Sequence, residues 1–411
     1  MLGHLQPQTD SLALSATAGQ ELSDDDVVIV SAVRTPITKA KRGGLATVHW
    51  TDMLTVAMKG ALERVNLKAD VVQDVQVGTV LAPGGGAHQA RMAQFVAGFS
   101  ENTALATTNR QCSSGLQAVA NIAASIKSGF IEVGMACGVE SMSGNDMAAA
   151  VGSLNDKHFE NEKAKECLIP MGITSENVAE RYGVTREEQD AFALSSYQKA
   201  LKAQQDGLFK EEIVPVPVTL KNEDGTTKEV LVSKDDGVRA TKAEDLAKLR
   251  PAFKQGGTTT AGNSSQVSDG AAAVILCTRR KAKELGLKPI GRFIAFSVVG
   301  VPPDVMGIGP AFAIPDVLKK AGLKIDDIDV FEINEAFASQ AVYSVKKLGI
   351  NPAKVNPNGG AIALGHPLGC TGARQISTLL NQLKRSNGKY GVSSMCIGTG
   401  MGAAAVFAAE N

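Results

Sequence analysis

A weak internal repeat limits the folds open to this chain more than any other feature of its sequence. Residues 66–80 resemble residues 322–337, and residues 112–129 resemble residues 370–388. Both pairs are separated by an offset of about 256 residues. Two segments that agree on one offset predict two similar α/β halves related by duplication. The corresponding glycines of the second pair are Gly115 and Gly372.

Local patterns set the expected limits of the two halves. The β-branched run at residues 27–33 is typical of a strand buried on both faces, so the ordered fold is expected to begin there. Residues 176–207 show a helical pattern broken by Gly183, as in an inserted excursion over an active site. The predicted organisation is a flexible tail at 1–26, a first half at 27–150 completed by about 257–284, a loop domain at 151–256 and a second half at 285–411.

Composition excludes several classes of protein. The 42 Lys and Arg residues balance the 42 Asp and Glu residues, so the chain lacks the positive charge of a general nucleic-acid binder. Apolar stretches such as residues 270–277 fall far short of the roughly 20 residues that span a bilayer, and no membrane span is expected. The 6 cysteines are widely spaced and form no CxxC pair, which predicts neither a disulfide framework nor a metal site.

Cys112 lies where a predicted strand, residues 104–108, turns into a predicted helix that ends near Ser128. A helix N-terminus offers unpaired N–H groups and the positive end of the helix dipole. Both are expected to lower the pKa of the thiol toward the reactive thiolate. A lone cysteine in this position is nevertheless more often a small buried core residue.

Three further short blocks could contribute to the same site. They are NEAF from Asn334, GHPLGC around His366, and CIGTGMG from Cys396 through Gly398. His366 precedes the helix that the repeat equates with the one after Cys112, so duplication is expected to bring the two residues together. Glycines after Cys396 would let the backbone approach a substrate closely. Taken singly, His366 could equally be a histidine that hydrogen-bonds within its loop, and Cys396 an ordinary core residue.

Read together, these blocks resemble the thiolase family, and the resemblance covers nearly the whole chain from Val27 onward. Four other blocks appear in the family's order: GVESMS, MGITSENVAE, LRPAF and TTTAGNSSQVSDGAA. The resemblance implies duplicated α/β halves in a five-layer αβαβα arrangement with an inserted loop domain. It also implies a homodimer that binds CoA as a co-substrate and needs neither a metal nor a permanently bound cofactor.

The resemblance also implies a role for each residue of the site. Cys112 would be the acyl-accepting nucleophile, and His366 the base that activates it and later the incoming CoA thiol. Cys396 would be the second acid/base, a role that a thiol with a pKa near neutrality could fill. His366 with a water held by Asn334 would stabilise one developing oxyanion, and the N–H groups of Cys112 and Gly398 would stabilise the other.

The CoA-binding residues are less sharply implied. Ser265 and the segment from His158 to Met171 would border the pantetheine arm of CoA. His88 and Arg91 belong to a stretch that covers the site or the dimer interface in the family. A purely structural role would account for the presence of these two residues equally well.

The implied activity is thiolytic cleavage of 3-ketoacyl-CoA to acetyl-CoA and a shortened acyl-CoA in fatty-acid β-oxidation. A short-chain acetoacetyl-CoA thiolase would carry the same catalytic groups and remains an alternative. A ketoacyl synthase normally uses two histidines, whereas only His366 lies in a catalytic-looking block here. An inactive acyl-CoA carrier is disfavoured because Cys112, His366 and Cys396 are all present.

The resemblance implies a peroxisomal location, with the N-terminus read by a peroxisomal import receptor. Residues 2–5, LGHL, match only the end of the family's N-terminal targeting signal. The upstream basic residue and leucine of that signal are absent, so the chain either begins inside a longer precursor or is a variant that is not imported; we expect the former.

Overall fold

The computed structural model describes residues 22–221 and 225–410. The strands of this part are β1 (Val27–Arg34), β2 (Thr38–Lys39), β3 (Asp74–Gly78), β4 (Ala104–Thr108), β5 (Val133–Ser141), β6 (Val216–Lys221), β7 (Thr227–Val232), β8 (Ser268–Thr278), β9 (Gly291–Gly300), β10 (Val330–Ile333), β11 (Tyr390–Ile397) and β12 (Met401–Ala409). The helices are α1 (Trp50–Arg64), α2 (Ala87–Val96), α3 (Ser114–Lys127), α4 (Met147–Val151), α5 (Glu162–Glu166), α6 (Met171–Tyr182), α7 (Arg186–Gln205), α8 (Ala243–Ala247), α9 (Arg279–Glu284), α10 (Gly309–Ala321), α11 (Ala338–Leu348), α12 (Ala361–Leu364) and α13 (Leu368–Ser386).

A ten-stranded sheet runs through the molecule in the order β10-β11-β12-β9-β1-β8-β5-β3-β4, with β2 added beside β8. Strands β1 and β9 join its two parts through a short antiparallel contact, Val28 with Arg292 and Ile29 with Gly291. Strands β6 and β7 form a separate antiparallel pair. The sheet is therefore continuous but is narrowly joined in the middle.

The two parts of the sheet have the same topology. From β1, the strands β8, β5 and β3 follow with antiparallel, antiparallel and parallel pairing. From β9, the strands β12, β11 and β10 follow with the same three pairings. Strand β3 begins at Asp74 and β10 at Val330, which reproduces the offset of the sequence repeat. The predicted duplication is confirmed.

Burial on both faces of the sheet produces five layers. Along β8, alternate residues point to opposite faces: Ala273 and Ile275 pack with α1 and α2, whereas Val274 and Leu276 pack with α3 and α13. Strands β11 and β12 likewise pack against α13 on one face and against α10 and α11 on the other. Helices α3 and α13 thus form the central layer of an αβαβα arrangement, as expected.

The break expected at Gly183 in the helical pattern of residues 176–207 is confirmed. Helix α6 ends at Gly183, whose φ of 64° is left-handed and therefore suits glycine, and α7 follows. Helix α7 packs through Ala193 and Tyr197 against α12, so the excursion covers the second half next to the GHPLGC block.

The acidic residues at the end of the predicted tail are folded, which corrects that part of the prediction. Asp24 pairs with Lys283 at 2.6 Å, and Asp26 is buried between Arg279 and Arg292. Ion pairing to α9 and β9 thus extends the ordered fold several residues before β1. Residues 2–5, with the partial targeting motif, lie outside the described residues. No helix of the described part is both long and apolar enough to cross a membrane.

Candidate active site

The first turns of α3 and α13 touch at glycines, and this contact sets the position of the site. A Cβ atom on Gly115 would lie 2.6 Å from the carbonyl oxygen of Gly369. A Cβ atom on Gly372 would lie 2.7 Å from the Cβ of Leu116. Only glycine allows this approach, and the two glycines are the pair matched by the sequence repeat. Cys112 and His366 immediately precede the two helices that meet here.

The turn before Cys112 is strained. Gln111 has a φ of 47°, in the left-handed region that non-glycine residues rarely adopt. Its N–H donates to the Asn109 side-chain oxygen at 2.9 Å, and the N–H of Arg110 donates to the hydroxyl of Ser114 at 2.9 Å. These bonds hold the strained turn and present the half-buried Cys112 at the start of α3. Strain of this kind is often found at functional sites.

The environment of the Cys112 thiol corrects the expected direction of its pKa. Burial dominates and raises the pKa to about 11, with a smaller contribution from the negative charge of Glu140. Hydrogen bonds from the N–H groups of Gly398 and of Cys112 itself act in the opposite direction. The helix N-terminus therefore does not produce a resting thiolate, and Cys112 is a protonated thiol at neutral pH.

His366 is buried and is held in one tautomer. Its backbone N–H donates to the carbonyl oxygen of Gln266 at 3.0 Å, and its ring Nδ1 lies 2.6 Å from the hydroxyl of Thr371. Thr371 donates that hydroxyl to the carbonyl oxygen of Pro367 at 3.1 Å, so it must accept a hydrogen from Nδ1. Nε2 is left as the unprotonated nitrogen. Burial, reinforced by the positive charge of Arg374, lowers the pKa of His366 to about 3.

Asn334 contacts the unprotonated nitrogen of His366. It follows β10 directly, and its Nδ2 lies 3.3 Å from His366 Nε2. Its backbone N–H donates to the carbonyl oxygen of Ser394 at 2.9 Å, which fixes it beside β11. The Oδ1 of Asn334 is buried and has no hydrogen-bond partner among the described residues. This oxygen is a buried acceptor available to a ligand.

Cys396 lies near the end of β11 and is fully buried in a small apolar cluster with Met306 and Ala336. Burial, followed by the neighbouring Cys112 thiol, raises its pKa well above the ordinary range. The expected near-neutral pKa is therefore wrong for the resting site, because desolvation outweighs the hydrogen bond that a nearby side chain makes to the sulfur. That side chain is Gln340, which the sequence analysis did not identify.

Gly398, Met171 and Ser265 lie at the margin of this cluster. A Cβ atom on Gly398 would have only ordinary contacts, the shortest 3.8 Å to Met171 Sδ, and the Gly398 N–H donates to the Cys112 sulfur. Met171 packs against the Cys396 cluster from the first turn of α6. The N–H of Ser265 donates to the carbonyl oxygen of Ala336 at 2.9 Å, which places Ser265 beside the NEAF block.

The segment that leads to Met171 forms an apolar depression. It has a volume of about 240 Å³ and is lined by Leu154, His158, Phe159, Ala164, Lys165, Cys167 and Leu168. The Cys167 sulfur lies 3.9 Å from the carbonyl oxygen of Thr399, one residue after Gly398. The depression therefore borders the loop that carries Gly398.

His88 and Arg91 lie on α2. Arg91 donates to the carbonyl oxygen of Glu101 at 3.1 Å and stacks on the Phe95 ring at 4.3 Å, so its charge ties α2 to the segment before β4. His88 is exposed. Both residues lie on a helix that also exposes several apolar side chains.

Glu140, within the GVESMS block, is a buried residue to which the sequence analysis gave no role. Its carboxylate accepts the N–H groups of Val80 at 2.9 Å, Leu81 at 3.0 Å and Gly369 at 2.9 Å. It thereby ties the first turn of α13 to the first half. Burial raises its pKa to about 7 despite these bonds.

In residues 22–221 and 225–410, no group of three or more His, Cys, Asp or Glu side chains is arranged to hold a metal ion. All 6 cysteines are free thiols. What the site offers is two thiols, one neutral imidazole and aligned N–H donors. This set suits acyl transfer through a thioester, followed or preceded by proton transfer at carbon.

Comparison with known proteins agrees with this chemistry. The family descriptions "Thiolase, N-terminal domain" and "Thiolase, C-terminal domain" match residues 27–280 and 287–409. The peroxisomal 3-ketoacyl-CoA thiolase B of Rattus norvegicus is 59% identical over 414 aligned residues, covering 99% of this chain and 97% of the rat protein.

Solved structures are similar over nearly the whole chain as well. The dimeric peroxisomal thiolase of Saccharomyces cerevisiae superposes with a TM-score of 0.87 at 50% identity, covering 95% of this chain and 99% of the yeast chain. The human mitochondrial 3-ketoacyl-CoA thiolase in complex with CoA gives a TM-score of 0.83 at 37% identity, covering 94% and 98%. The duplicated fold, the site and these similarities lead to one conclusion: the chain belongs to the thiolase family.

Proposed function

We propose that this chain is a 3-ketoacyl-CoA thiolase that cleaves 3-ketoacyl-CoA with CoA, giving acetyl-CoA and an acyl-CoA two carbons shorter. One observation carries the proposal. Cys112 and His366 immediately precede α3 and α13, whose first turns touch, and the Cys396 thiol lies close enough to Cys112 for that neighbour to raise its pKa. The Cys112 sulfur also accepts a hydrogen bond from the Gly398 N–H. The peroxisomal relatives support a role in peroxisomal fatty-acid β-oxidation.

The first half-reaction transfers the acyl group to Cys112. His366 Nε2 takes the Cys112 proton, and the thiolate attacks C3 of the substrate to form a tetrahedral alkoxide. The C2–C3 bond then breaks, its electron pair moves to C2, and Cys396 donates its proton there. Acetyl-CoA leaves, and the acyl group remains on Cys112 as a thioester.

The second half-reaction returns the acyl group to CoA. The imidazolium first returns its proton to the Cys396 thiolate, which leaves both groups neutral. His366 then takes the proton of the CoA thiol, and the CoA thiolate attacks the thioester. Cys112 leaves as a thiolate and recovers the proton from His366, so the site ends in its starting state.

Preorganised donors would stabilise the oxygen charge that develops in each step. The protonated Nε2 of His366, with a water bound by the free Oδ1 of Asn334, would donate to one oxyanion. The N–H groups of Cys112 and Gly398 would donate to the other, from the positions where they now face the sulfur. Donors fixed before the reaction cost no reorganisation during it.

CoA acts as a co-substrate and not as a resident cofactor. The depression bordered by Cys167 and the packing of Met171 against the Cys396 cluster suit the apolar parts of an acyl-CoA. Ser265, beside the NEAF block, would face the pantetheine arm. We assign residues 151–256 to a loop domain that covers this site, between the halves at 27–150 with 257–284 and at 285–411.

The proposed assembly is a homodimer, as in the yeast relative. Strand β4 is an edge strand of the large sheet, and an unpaired edge is open to pairing with another chain. The adjacent helix α2 exposes Met92, Phe95 and Val96. An unpaired edge beside exposed apolar side chains is the kind of surface that subunits bury. A peroxisomal import receptor acting on the N-terminus is proposed as the partner for delivery.

A chain-length series tests the function. Thiolysis with CoA is measured on 3-ketoacyl-CoA substrates from four to sixteen carbons, for the unmodified protein, Cys112→Ala and the remote-thiol control Cys137→Ala. We expect activity on the longer substrates that is retained in Cys137→Ala and lost in Cys112→Ala, which still binds CoA. Activity confined to four carbons would indicate an acetoacetyl-CoA thiolase, and inactivity of the unmodified protein would indicate a carrier.

A further inference from the structure

We propose that Gln340 is a positioning residue for this reaction: its amide holds the Cys396 sulfur in both its thiol and its thiolate form while a proton passes between that sulfur and the substrate. The inference rests on the proposed thiolase function. It assigns a role to a side chain that lies outside the motif positions considered in the sequence.

The contacts of Gln340 are specific. Its Nε2 lies 3.0 Å from Cys396 Sγ, and its Oε1 lies 3.2 Å from the same sulfur. Nε2 also donates to the backbone carbonyl oxygen of Asn334 at 3.2 Å. Gln340 is 1% exposed, so protein groups alone satisfy its amide.

The Asn334 carbonyl fixes which way the amide faces. A carbonyl oxygen can only accept, so the NH₂ group and not Oε1 must face it. One amide hydrogen then serves Asn334 and the second can point at the sulfur. A Cβ atom on Gly307 would lie 2.8 Å from the Gln340 Cβ, so the side chain is also closely packed from behind.

This fixed amide suits both states of Cys396 without moving. A thiol can donate its hydrogen to Oε1, and a thiolate can accept a hydrogen from Nε2. The rest of the sulfur's surroundings is apolar, with Met306 and Ala336 in contact. A thiolate formed after proton donation to C2 would otherwise be buried with little compensation, which is costly.

Gln340 also connects the two proton-transfer groups of the site. Asn334 contacts His366 Nε2 through its side chain and Gln340 through its carbonyl oxygen. The titratable groups near the Cys396 sulfur are Cys112, whose thiol raises the Cys396 pKa, and His366 beyond Asn334. Holding the Cys396 sulfur therefore also holds its distance to the nucleophile.

Two variants separate this role from packing. Gln340→Met keeps the length of the side chain and removes the hydrogen bonds. Gln340→Glu keeps the shape but places an ionisable group at the sulfur. The control is Gln375→Met, because Gln375 is an equally buried glutamine whose amide bonds the Glu332 carbonyl and the Ser393 hydroxyl, away from both catalytic thiols.

Two reactions are compared for each variant. Thiolysis of a 3-ketoacyl-CoA needs Cys396 to protonate C2, whereas exchange of the acetyl group between acetyl-CoA and labelled CoA needs only Cys112 and His366. For Gln340→Met we expect thiolysis kcat to fall roughly 10- to 100-fold, the range for loss of a hydrogen bond to a charged group. KM and the exchange rate should stay within about threefold, and Cys396→Ala should show the same pattern more strongly.

The pH dependence of the thiolysis rate distinguishes this role from packing, because a residue that only packs would not change it. In Gln340→Glu, a protonated carboxyl can replace the amide at low pH, whereas a carboxylate repels the thiolate at high pH. The ratio of unmodified to Gln340→Glu thiolysis should therefore grow as the pH rises, while the Gln375→Met ratio should stay constant.

Several results would overturn the inference while leaving the thiolase function intact. They are unchanged thiolysis in Gln340→Met, parallel loss of thiolysis and acetyl exchange in a folded protein, and a pH-independent ratio for Gln340→Glu. Absence of thiolysis in the unmodified protein would instead overturn the proposed function, and this inference with it. Melting temperature and CoA binding establish that each variant is folded.

Discussion

At the scale of single residues, burial sets the resting state of the site. Desolvation raises the pKa of the Cys112 and Cys396 thiols and lowers the pKa of His366 to about 3. All three groups are therefore neutral at pH 7. These groups become charged only when a bound substrate presents an oxygen that the fixed N–H donors can stabilise. The neutral resting state protects the nucleophile from side reactions between turnovers.

The raised pKa of Cys112 predicts how its alkylation depends on pH. Only the thiolate reacts with iodoacetamide, and below a pKa of about 11 the thiolate fraction rises about tenfold per pH unit. The rate at Cys112, followed by peptide mass spectrometry, should climb steadily from pH 7 to pH 10. A plateau near pH 8 would show that a thiolate exists in the resting enzyme, and would contradict this account.

Thr371 is predicted to matter through the tautomer of His366. Thr371→Val keeps the side-chain volume but removes the acceptor for Nδ1–H, so Nε2 is no longer held as the base. We expect kcat to fall roughly 10-fold, in line with one lost buried hydrogen bond, with KM little changed. Thr371→Ser, which keeps the hydroxyl, is the matched control. Equal activity in both variants would exclude the tautomer argument.

At the scale of elements, the crossing of α3 and α13 places the catalytic groups, and its geometry depends on glycine. Gly115 and Gly372 allow the first turns of the two helices to touch. Glu140 reinforces the contact by accepting the N–H of Gly369. Cys112 and His366 belong to the segments just before these helices, so a shift of either helix moves one of these two groups relative to the other.

Gly372→Ala tests this contact. Alanine is intrinsically about 1 kcal/mol better than glycine inside a helix, so an isolated helix would gain stability. Here the new methyl group meets Leu116, and we expect urea denaturation to show a loss of about 1–3 kcal/mol in the free energy of unfolding. Gly300→Ala, at an open position in β9, should change stability by less than about 0.5 kcal/mol. A stabilised Gly372→Ala would refute the close contact.

The elements also show what the sequence could and could not predict. The repeat located β3 and β10 because a duplicated strand retains its hydrophobic pattern, and helical periodicity located α3. The direction of the Cys112 pKa could not be predicted, since it depends on how much protein covers the sulfur. Gln340 was missed because its contact with Cys396 joins α11 to β11, and no local pattern reports a contact between elements.

At the scale of the whole molecule, the duplicated fold leaves β4 at one end of the sheet beside the exposed apolar face of α2. The opposite end of the sheet, β10, is buried under helices. This asymmetry favours a dimer formed through the first half. The proposed catalytic groups, by contrast, come from both halves of one chain.

A charge placed on the α2 face should therefore dissociate the dimer. We expect Val96→Glu combined with Met92→Glu to sediment as a monomer in analytical ultracentrifugation, because burying two carboxylates in an apolar interface is strongly unfavourable. Phe312→Glu, on the exposed face of α10 in the second half, is the control and should remain a dimer. The opposite pattern would place the interface on the second half.

The central claim is that Cys112 carries the acyl group between the two half-reactions, and trapping that group tests it most directly. The enzyme is mixed with a 3-ketoacyl-CoA in the absence of free CoA, quenched in acid and digested for peptide mass spectrometry. We predict release of acetyl-CoA and an acyl thioester on the peptide that contains Cys112, with neither in Cys112→Ala. An acyl group on Cys396, or thiolysis that persists in Cys112→Ala, would contradict the account.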